Sequence, residues 1–315
     1  MTRRELLKFG SLAFVSKFEI PLSLEPKFRK PLKFAVITDL HHGFAPDAMT
    51  RATAFVDAVK SRKNLDCVLQ LGDFCYSDAG SKEVLDKFKE IKLPIIHVLG
   101  NHDMDSCTKD TAVSTIGMRR RFDAFDFGDF TFLVLDLNNF KKNGELIPYA
   151  NGNYFTDNAV LNSIDPEQKV WLRSKLVSSK KPVILLSHQP LGFAEQGKPL
   201  PPEQKEVIDL IKEVKAIKGR NPIAFSMFGH LHVDRLEVVD EIPFYCVNSA
   251  SYFWSEGMCP YTKPLFSFME LTSDGRLIIE GVQGDFVKMP PKVSEAVIGR
   301  SASISSRTLK IKRTH

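Results

Sequence analysis

The chain has 315 residues, 43% of them hydrophobic and 26% charged, which is ordinary for a folded globular protein and long enough to bury a sizeable core. A formal net charge of +5 is far from that of a dedicated nucleic-acid binder, and no apolar run reaches the length of an ordinary membrane-spanning helix. Five cysteines without a CxxC spacing argue against a zinc ribbon or a thioredoxin-like redox pair.

The N-terminal stretch MTRRELLKFGSLAFVS places Arg3 and Arg4 before a leucine pair, Lys8 and a short apolar run. It resembles a twin-arginine export signal, although Lys17 and Glu19 interrupt the apolar region and no A-x-A cleavage site follows. Residues 1–28 are therefore read as an export signal or a flexible segment. Export would place the protein in the periplasm; the alternative location is the cytoplasm.

From Lys33 the chain alternates. KFAVIT is a short apolar strand that stops at Asp39, and MTRATAFVDAVKSR from Met49 has the three- and four-residue spacing of a helix. LDCVLQL from Leu65 is a second strand, ending at Gly72-Asp73. KEVLDKFKEIK is a second helix, and LPIIHVL from Leu93 is a third strand, ending at Gly100-Asn101-His102-Asp103. FDAFDFGDFTFLVLD from Phe122 reads as a hairpin about Gly128-Asp129. Asp165-Pro166-Glu167 starts a helix with a capping carboxylate and a proline in its first turn. KPVILL runs to Ser187-His188, a helix from Pro201 is closed by Gly219, and IAFSMF runs into Gly229-His230-Leu231-His232. IPFYCV and LFSFMELTSDGRLIIEG add strands without intervening helices.

Near-continuous apolar strands separated by helices imply a largely parallel sheet covered on both faces. With the helix-free strands added, the expected fold is an α/β four-layer αββα sandwich, two mixed sheets face to face with helices outside. One domain spans residues 29–287, and the Ser/Arg/Lys-rich residues 288–315 are read as a loose basic tail.

In such sheets ligands sit beyond the carboxyl ends of the strands. Standing there are Asp39, His41, Asp73, Asn101, His102, His188, His230 and His232, which include five of the eight histidines in the chain. A lone histidine in an apolar setting is usually a satisfied core residue; five strands each delivering an Asp, Asn or His to one edge is a different pattern. Carboxylate with imidazole suits manganese, iron or zinc, and the absence of thiolates argues for a hydrolytic rather than a structural site. The donors suffice for two ions sharing one bridging carboxylate, an arrangement suited to phosphoryl displacement. Residues two apart in an extended chain project to the same side, so the D-x-H and H-x-H spacings are expected to aim both side chains at the ions.

TDLHHG, LGDF, LGNHDMD, LLSHQP and FGHLH occur in that order between about Lys33 and Phe286. This ordered set resembles the calcineurin-like metallophosphoesterase family. The resemblance implies that Asp39, His41 and His232 hold one ion, that Asn101, His188 and His230 hold the second, and that Asp73 bridges them. It further implies that His102 assists the phosphoryl oxygens or the leaving group without binding metal, with Asp103 orienting it.

Other residues read as less specific. His42 faces away from the ligands, His97 belongs to the core of its strand, and Asp105 is a loop carboxylate. NNFKKNGELIPYANGNYF from Asn138 is too polar for core, and its Lys141 and Lys142 are either phosphate contacts or solvated surface. Tyr252, Phe253, Trp254 and Tyr261 either stack on a nucleobase or pack their loop onto the sheet edge. The expected function is hydrolysis of phosphate mono- or diesters by in-line attack of a metal-bound hydroxide. The partner is a small phosphate ester, nucleotides among the candidates, with no stable nucleic-acid binding. A non-catalytic scaffold on the same fold, or a nuclease, is the alternative.

Overall fold

The computed structural model describes residues 30–194, 199–291 and 301–311. The export-like segment lies outside the described residues, as do residues 292–300 and 312–315 of the expected tail. In chain order the first elements are β1 (Leu32–Ile37), α1 (Ala48–Ser61), β2 (Cys67–Gln70), α2 (Lys82–Phe88), β3 (Ile95–His97) and α3 (Lys109–Ile116). Next come β4 (Asp123–Phe127), β5 (Phe130–Val134), α4 (Pro166–Ser178), β6 (Val183–Leu186), α5 (Pro202–Lys218) and β7 (Ile223–Phe228). The last are β8 (Arg235–Val239), β9 (Ile242–Cys246), β10 (Ser267–Leu271), β11 (Arg276–Ile279) and β12 (Arg307–Lys310).

Twelve strands form two six-stranded mixed sheets, in the orders β12-β11-β10-β1-β2-β3 and β8-β9-β7-β6-β5-β4. Strands β1, β2 and β3 run parallel in the first sheet, and β5, β6, β7 and β9 run parallel in the second. The alternation along β1 shows the layering. Phe34 and Val36 join a core with Phe132, Leu133 and Ile184 of the second sheet, and the Phe34 and Phe132 rings meet edge to face at 6.3 Å. Ala35 and Ile37 point the other way, onto Ala52, Phe55 and Val56 of α1. Leu172 of α4 and Val207, Ile211 and Val214 of α5 pack with the second sheet. The fold is the four-layer αββα sandwich expected from the sequence. No helix among the described residues is long and apolar enough to cross a membrane.

The local signals act as expected at α4, where the Asp165 side chain accepts from Gln168 N, and at α5, where Gly219 closes the helix in a left-handed conformation at φ 67°. Three readings need correction. Residues 301–311 of the expected loose tail are docked: β12 pairs with β11 and extends the first sheet, and Arg307 meets Asp234 at 2.6 Å. The segment from Asn138 is not simply a polar loop. Asn139–Lys142 and Glu145–Pro148 form a hairpin, and Asn138, Phe140, Tyr149 and Tyr154 are buried. Its asparagines are satisfied internally: Asn138 Nδ2 donates to Leu99 O, and Asn139 Oδ1 accepts from the buried Lys109 ammonium, which also meets Asp136. Helix α3 was not predicted; Thr108 caps it and Gly117 ends it.

Arg51 of α1 ties the helix layer to the segment that follows β9. It is almost wholly buried, pairs with Asp47, and donates to Ala250 O at 3.0 Å and Tyr261 O at 2.5 Å. Arg51→Met is expected to orphan those two carbonyls and lower stability by about 2–4 kcal/mol, read from the urea midpoint. An unchanged midpoint would show that water replaces the guanidinium without cost.

Candidate metal centre

The five motifs meet at one rim of the sandwich. Asp39 and His41 follow β1, Asp73 follows β2, and Asn101 and His102 follow β3, all from the first sheet. His188 follows β6 and His230 and His232 follow β7, from the second. Two triads of metal-ligating atoms form there, each with its atoms within 4.8 Å of one another: Asp39, His41 and His232, and Asp73, His188 and His230. His41, Asp73 and His102 form a third such group, which bridges them. Asp39 and Asp73 are buried.

The distances are those of side chains gathered about shared points. His232 Nε2 lies 3.2 Å from Asp39 Oδ1, and His188 Nε2 lies 3.0 Å from Asp73 Oδ2. His41 Nε2 stands 3.8 Å from Asp39 Oδ1 and 3.7 Å from Asp73 Oδ2, and 3.1 Å from His232 Nε2. Burial works to raise both carboxyls, but the facing histidines outweigh it. His232 and His188 hold Asp39 below its usual range, and His188, His102 and His41 hold Asp73 well below it. Burial lowers His41 to about 3 and His230 to about 4, so both imidazoles are neutral at pH 7, the form that ligates metal. Burial also opposes charge on His188, yet Asp73 and Asp39 lift it to about 9. Those carboxylates demand a positive charge beside them, and a metal ion answers the same demand as a proton.

The donor set fits divalent cations. Eight buried side-chain polar atoms lack a well-directed hydrogen-bond partner among the described residues, and four belong to these side chains: His41 Nδ1, Asn101 Oδ1, His232 Nδ1 and His188 Nε2, the last held beside Asp73 Oδ2 as an ion pair. A buried polar atom left without a partner is costly, and Asn101 Oδ1 and His188 Nε2, without a hydrogen bond at the cluster, are placed to meet a cation. His188 Nδ1 donates to Leu71 O at 2.8 Å, which turns Nε2 toward the cluster.

The backbone that presents these groups is not extended, contrary to the reading of the D-x-H and H-x-H spacings. Asp39, His41, Asp73, His230 and His232 have φ of 52°, 53°, 50°, 66° and 53°, all in the left-handed region. The two-residue spacing brings both side chains inward because each ligand sits in a tight loop turn. Such conformations are unfavourable for non-glycine residues and concentrate at functional sites. The motif glycines supply space. A Cβ on Gly100 would stand 2.1 Å from Asp73 N and Oδ1, and one on Gly229 would stand 2.4 Å from Asp39 Oδ2.

His102 is only partly buried beside the cluster, and its backbone N–H donates to Asp73 Oδ1 at 2.8 Å. Burial lowers it, but Asp73 and Asp105 together lift it to about 9. Its expected partner was Asp103, and the structure corrects this. Asp103 Oδ1 accepts from Phe74 N and Cys75 N, and Oδ2 accepts from Gly100 N, so it ties the β2 and β3 loops together and does not touch the imidazole. Burial and Asp73 push its carboxyl up to about 7. Asp105 Oδ2 lies 2.7 Å from His102 Nδ1, and Tyr154 hydroxyl bonds to both Asp105 and His102. Asp105, one helical turn after His102, is thus more than a loop carboxylate; the i, i+3 spacing is the sequence signal for it, and Tyr154 has none.

The remaining residues separate clearly. His97 Nδ1 meets Gln70 Oε1 at 3.2 Å inside the first sheet. Lys141 pairs with Glu206 and Lys142 with Thr156, so neither faces the cluster. Tyr252 is buried against His41 and His232 with ring centroids 4.9 and 4.7 Å away; Phe253 and Tyr261 are also buried, while Trp254 is 55% exposed. The cluster opens into a cleft of about 780 Å³ lined by Phe44, His102, Tyr154, Phe155 and Trp254 among others.

A family model for calcineurin-like phosphoesterases matches residues 32–234. The chain belongs to this family. Among solved structures, a dimetal phosphatase from Danio rerio is 15% identical, with a TM-score of 0.59, covering 82% of this chain and 98% of its own. GAP50, described as the anchor in the inner membrane complex of Plasmodium, is 16% identical, with a TM-score of 0.56 and 90% of each chain covered. No curated protein sequence matches significantly. At these identities the likenesses establish the phosphoesterase fold; what the centre does is argued from its own residues.

The two aspartates next to His102 should separate experimentally. Asp103→Ala leaves three buried N–H groups unpaired and is expected to cost about 3 kcal/mol or more in stability. Asp105→Asn is expected to change stability by under about 1 kcal/mol while slowing phosphate-ester turnover about tenfold or more. Denaturation midpoints and turnover rates decide, and the reverse pattern would restore Asp103 as the partner of His102.

Proposed function

We propose that this protein is a two-metal hydrolase of phosphate esters. The observation that carries the reading is the convergence of Asp39, His41, Asp73, Asn101, His188, His230 and His232 at one rim, with Asn101 Oδ1 and His188 Nε2 lacking a hydrogen bond there. Asp39, His41 and His232 would hold one ion and Asn101, His188 and His230 the other, with Asp73 between. When bound, manganese, iron or zinc ions would polarise a phosphoryl oxygen and lower the pKa of a water.

The chain's own residues do the rest. Asp39 and Asp73 supply the negative charge that retains cations. His102 stands at the cleft side of the cluster, 5.1 Å between ring centroids from His41, where it can donate a proton to a departing alkoxide oxygen. Asp105 and Tyr154 hold its Nδ1 edge, leaving Nε2 to face the substrate. Phe44 and Tyr252 line the cleft beside the cluster. A non-catalytic scaffold has no use for a complete set of costly buried donors, which weighs against that alternative. A nuclease would need a cationic track, and the residues lining the cleft include no lysine or arginine. The Arg3-Arg4 pattern supports export of the folded protein, to which the same chemistry would apply.

Purified protein, chelated and reconstituted, is expected to bind about two manganese or zinc ions per chain and to hydrolyse p-nitrophenyl phosphate or its bis ester only when loaded. Asp73→Asn should lose metal and nearly all activity; His102→Ala should keep metal and lose about 10²–10⁴-fold in turnover. Absence of both bound metal and turnover would remove the proposal. Gly100→Ala, which drives a methyl into Asp73, is expected to lose metal as Asp73→Asn does.

A further inference from the structure

Beside the metal centre the cleft has an unusual wall. Among the described residues the exposed large aromatic rings are Phe44 (39% exposed), Phe155 (73%) and Trp254 (55%), and all three line this one cleft. They come from three separate parts of the chain. Phe44 belongs to the loop after β1, Phe155 to the segment before α4, and Trp254 to the short strand Tyr252–Trp254. Exposed apolar surface is normally scattered; gathered at the mouth of a cleft it marks a surface meant to be covered.

The rings form two walls around His102. Phe44 lies 6.3 Å from Trp254 between centroids, and Tyr154 lies 4.4 Å from Phe155. His102 stands between them, 6.4 Å from Phe44 and 6.3 Å from Phe155. A group leaving phosphorus past His102 therefore enters an aromatic slot. Charge narrows the class further. The carboxylates lining the cleft are Asp73 and Asp105, and no lysine or arginine lines it. Two divalent ions against Asp39 and Asp73 would leave about two positive charges for the transferred phosphoryl group. His102 and Asp105 pair with each other, so a second phosphate in the slot would meet aromatic faces with no unpaired cationic side chain among the lining residues.

Resting on the hydrolase reading, we propose that the substrate is an ester with a single phosphoryl group whose alcohol side carries a planar aromatic group, a nucleobase or an aryl ring, bound between Phe44, Phe155 and Trp254. These residues set specificity, and polyphosphates are excluded.

Trp171 and Trp254 are the two tryptophans of the chain, and Trp171 packs on Phe122 at 4.9 Å, so Trp171→Phe leaves Trp254 as a single reporter. In that background, with free manganese buffered to a fixed level, AMP, phenyl phosphate, ribose 5-phosphate and ADP are titrated against Trp254 fluorescence, and the turnover of each is measured. Saturable quenching by AMP or phenyl phosphate, none by ribose 5-phosphate, and weaker binding of ADP than of AMP are expected. The preferred aromatic ester should exceed ribose 5-phosphate in kcat/KM by about tenfold or more, and Phe155→Ala and Trp254→Ala should bring that ratio toward unity. Whether AMP or phenyl phosphate prevails tells a nucleobase from a simple aryl ring. Equal kcat/KM for aromatic and non-aromatic esters without quenching overturns the proposal, and ADP binding as tightly as AMP overturns its single-phosphoryl part. Should no ester be turned over, the hydrolase reading fails, and the fluorescence titration still decides whether the aromatic slot binds its ligand.

Discussion

Two carboxylates, Asp39 and Asp73, are buried where the two sheets meet, and much of the surrounding architecture answers that burden. A buried carboxylate without compensation would take up a proton; here four imidazoles within reach hold both below their ordinary range. The imidazoles then compete among themselves. His188 and His102 are drawn toward the charged form by the carboxylates, while His41 and His230 are held neutral by burial. Buried carboxylates held charged in this way favour a compact cation beside them, in keeping with candidate metal-binding residues in a phosphoesterase family.

Holding these groups so close demands unusual backbone. Five ligand candidates sit at positive φ, and glycines at 100 and 229 leave room that a single methyl would close. The strain is borne by the strands behind it. Each candidate loop follows a strand of one of the two sheets, and Asp103 pins the β2 and β3 loops by accepting three backbone N–H bonds. On the other flank Arg51 fixes Ala250 and Tyr261, the ends of the segment that carries Tyr252 against His41 and His232 and Trp254 to the cleft. Rigid sheets, strained loops and a braced aromatic flank form one mechanical unit.

Sequence reasoning went wrong where contacts are made between distant segments. Adjacency suggests Asp103 as the partner of His102, yet a residue next in a turn faces elsewhere, and Asp105 one turn later reaches the ring. The polar segment from Asn138 concealed buried asparagines because their partners, Leu99 and Lys109, lie about thirty residues or more away. Residues 301–311 looked like a soluble tail because an edge strand needs little apolar content; β12 alternates half-buried and exposed residues.

The sequence by itself determined the sandwich and, sheet by sheet, the common edge of its candidate residues, because parallel strands end at one edge and five of them ended in an Asp, Asn or His. It also distinguished the helix boundaries at Asp165 and Gly219, where capping is local chemistry. Tertiary structure alone decided which carboxylate orients His102, that Tyr154 joins it, and which aromatics of the 252–261 segment are core and which line the cleft. Those choices depend on orientation and burial across separate layers, and neither is written in the spacing of residues along one chain.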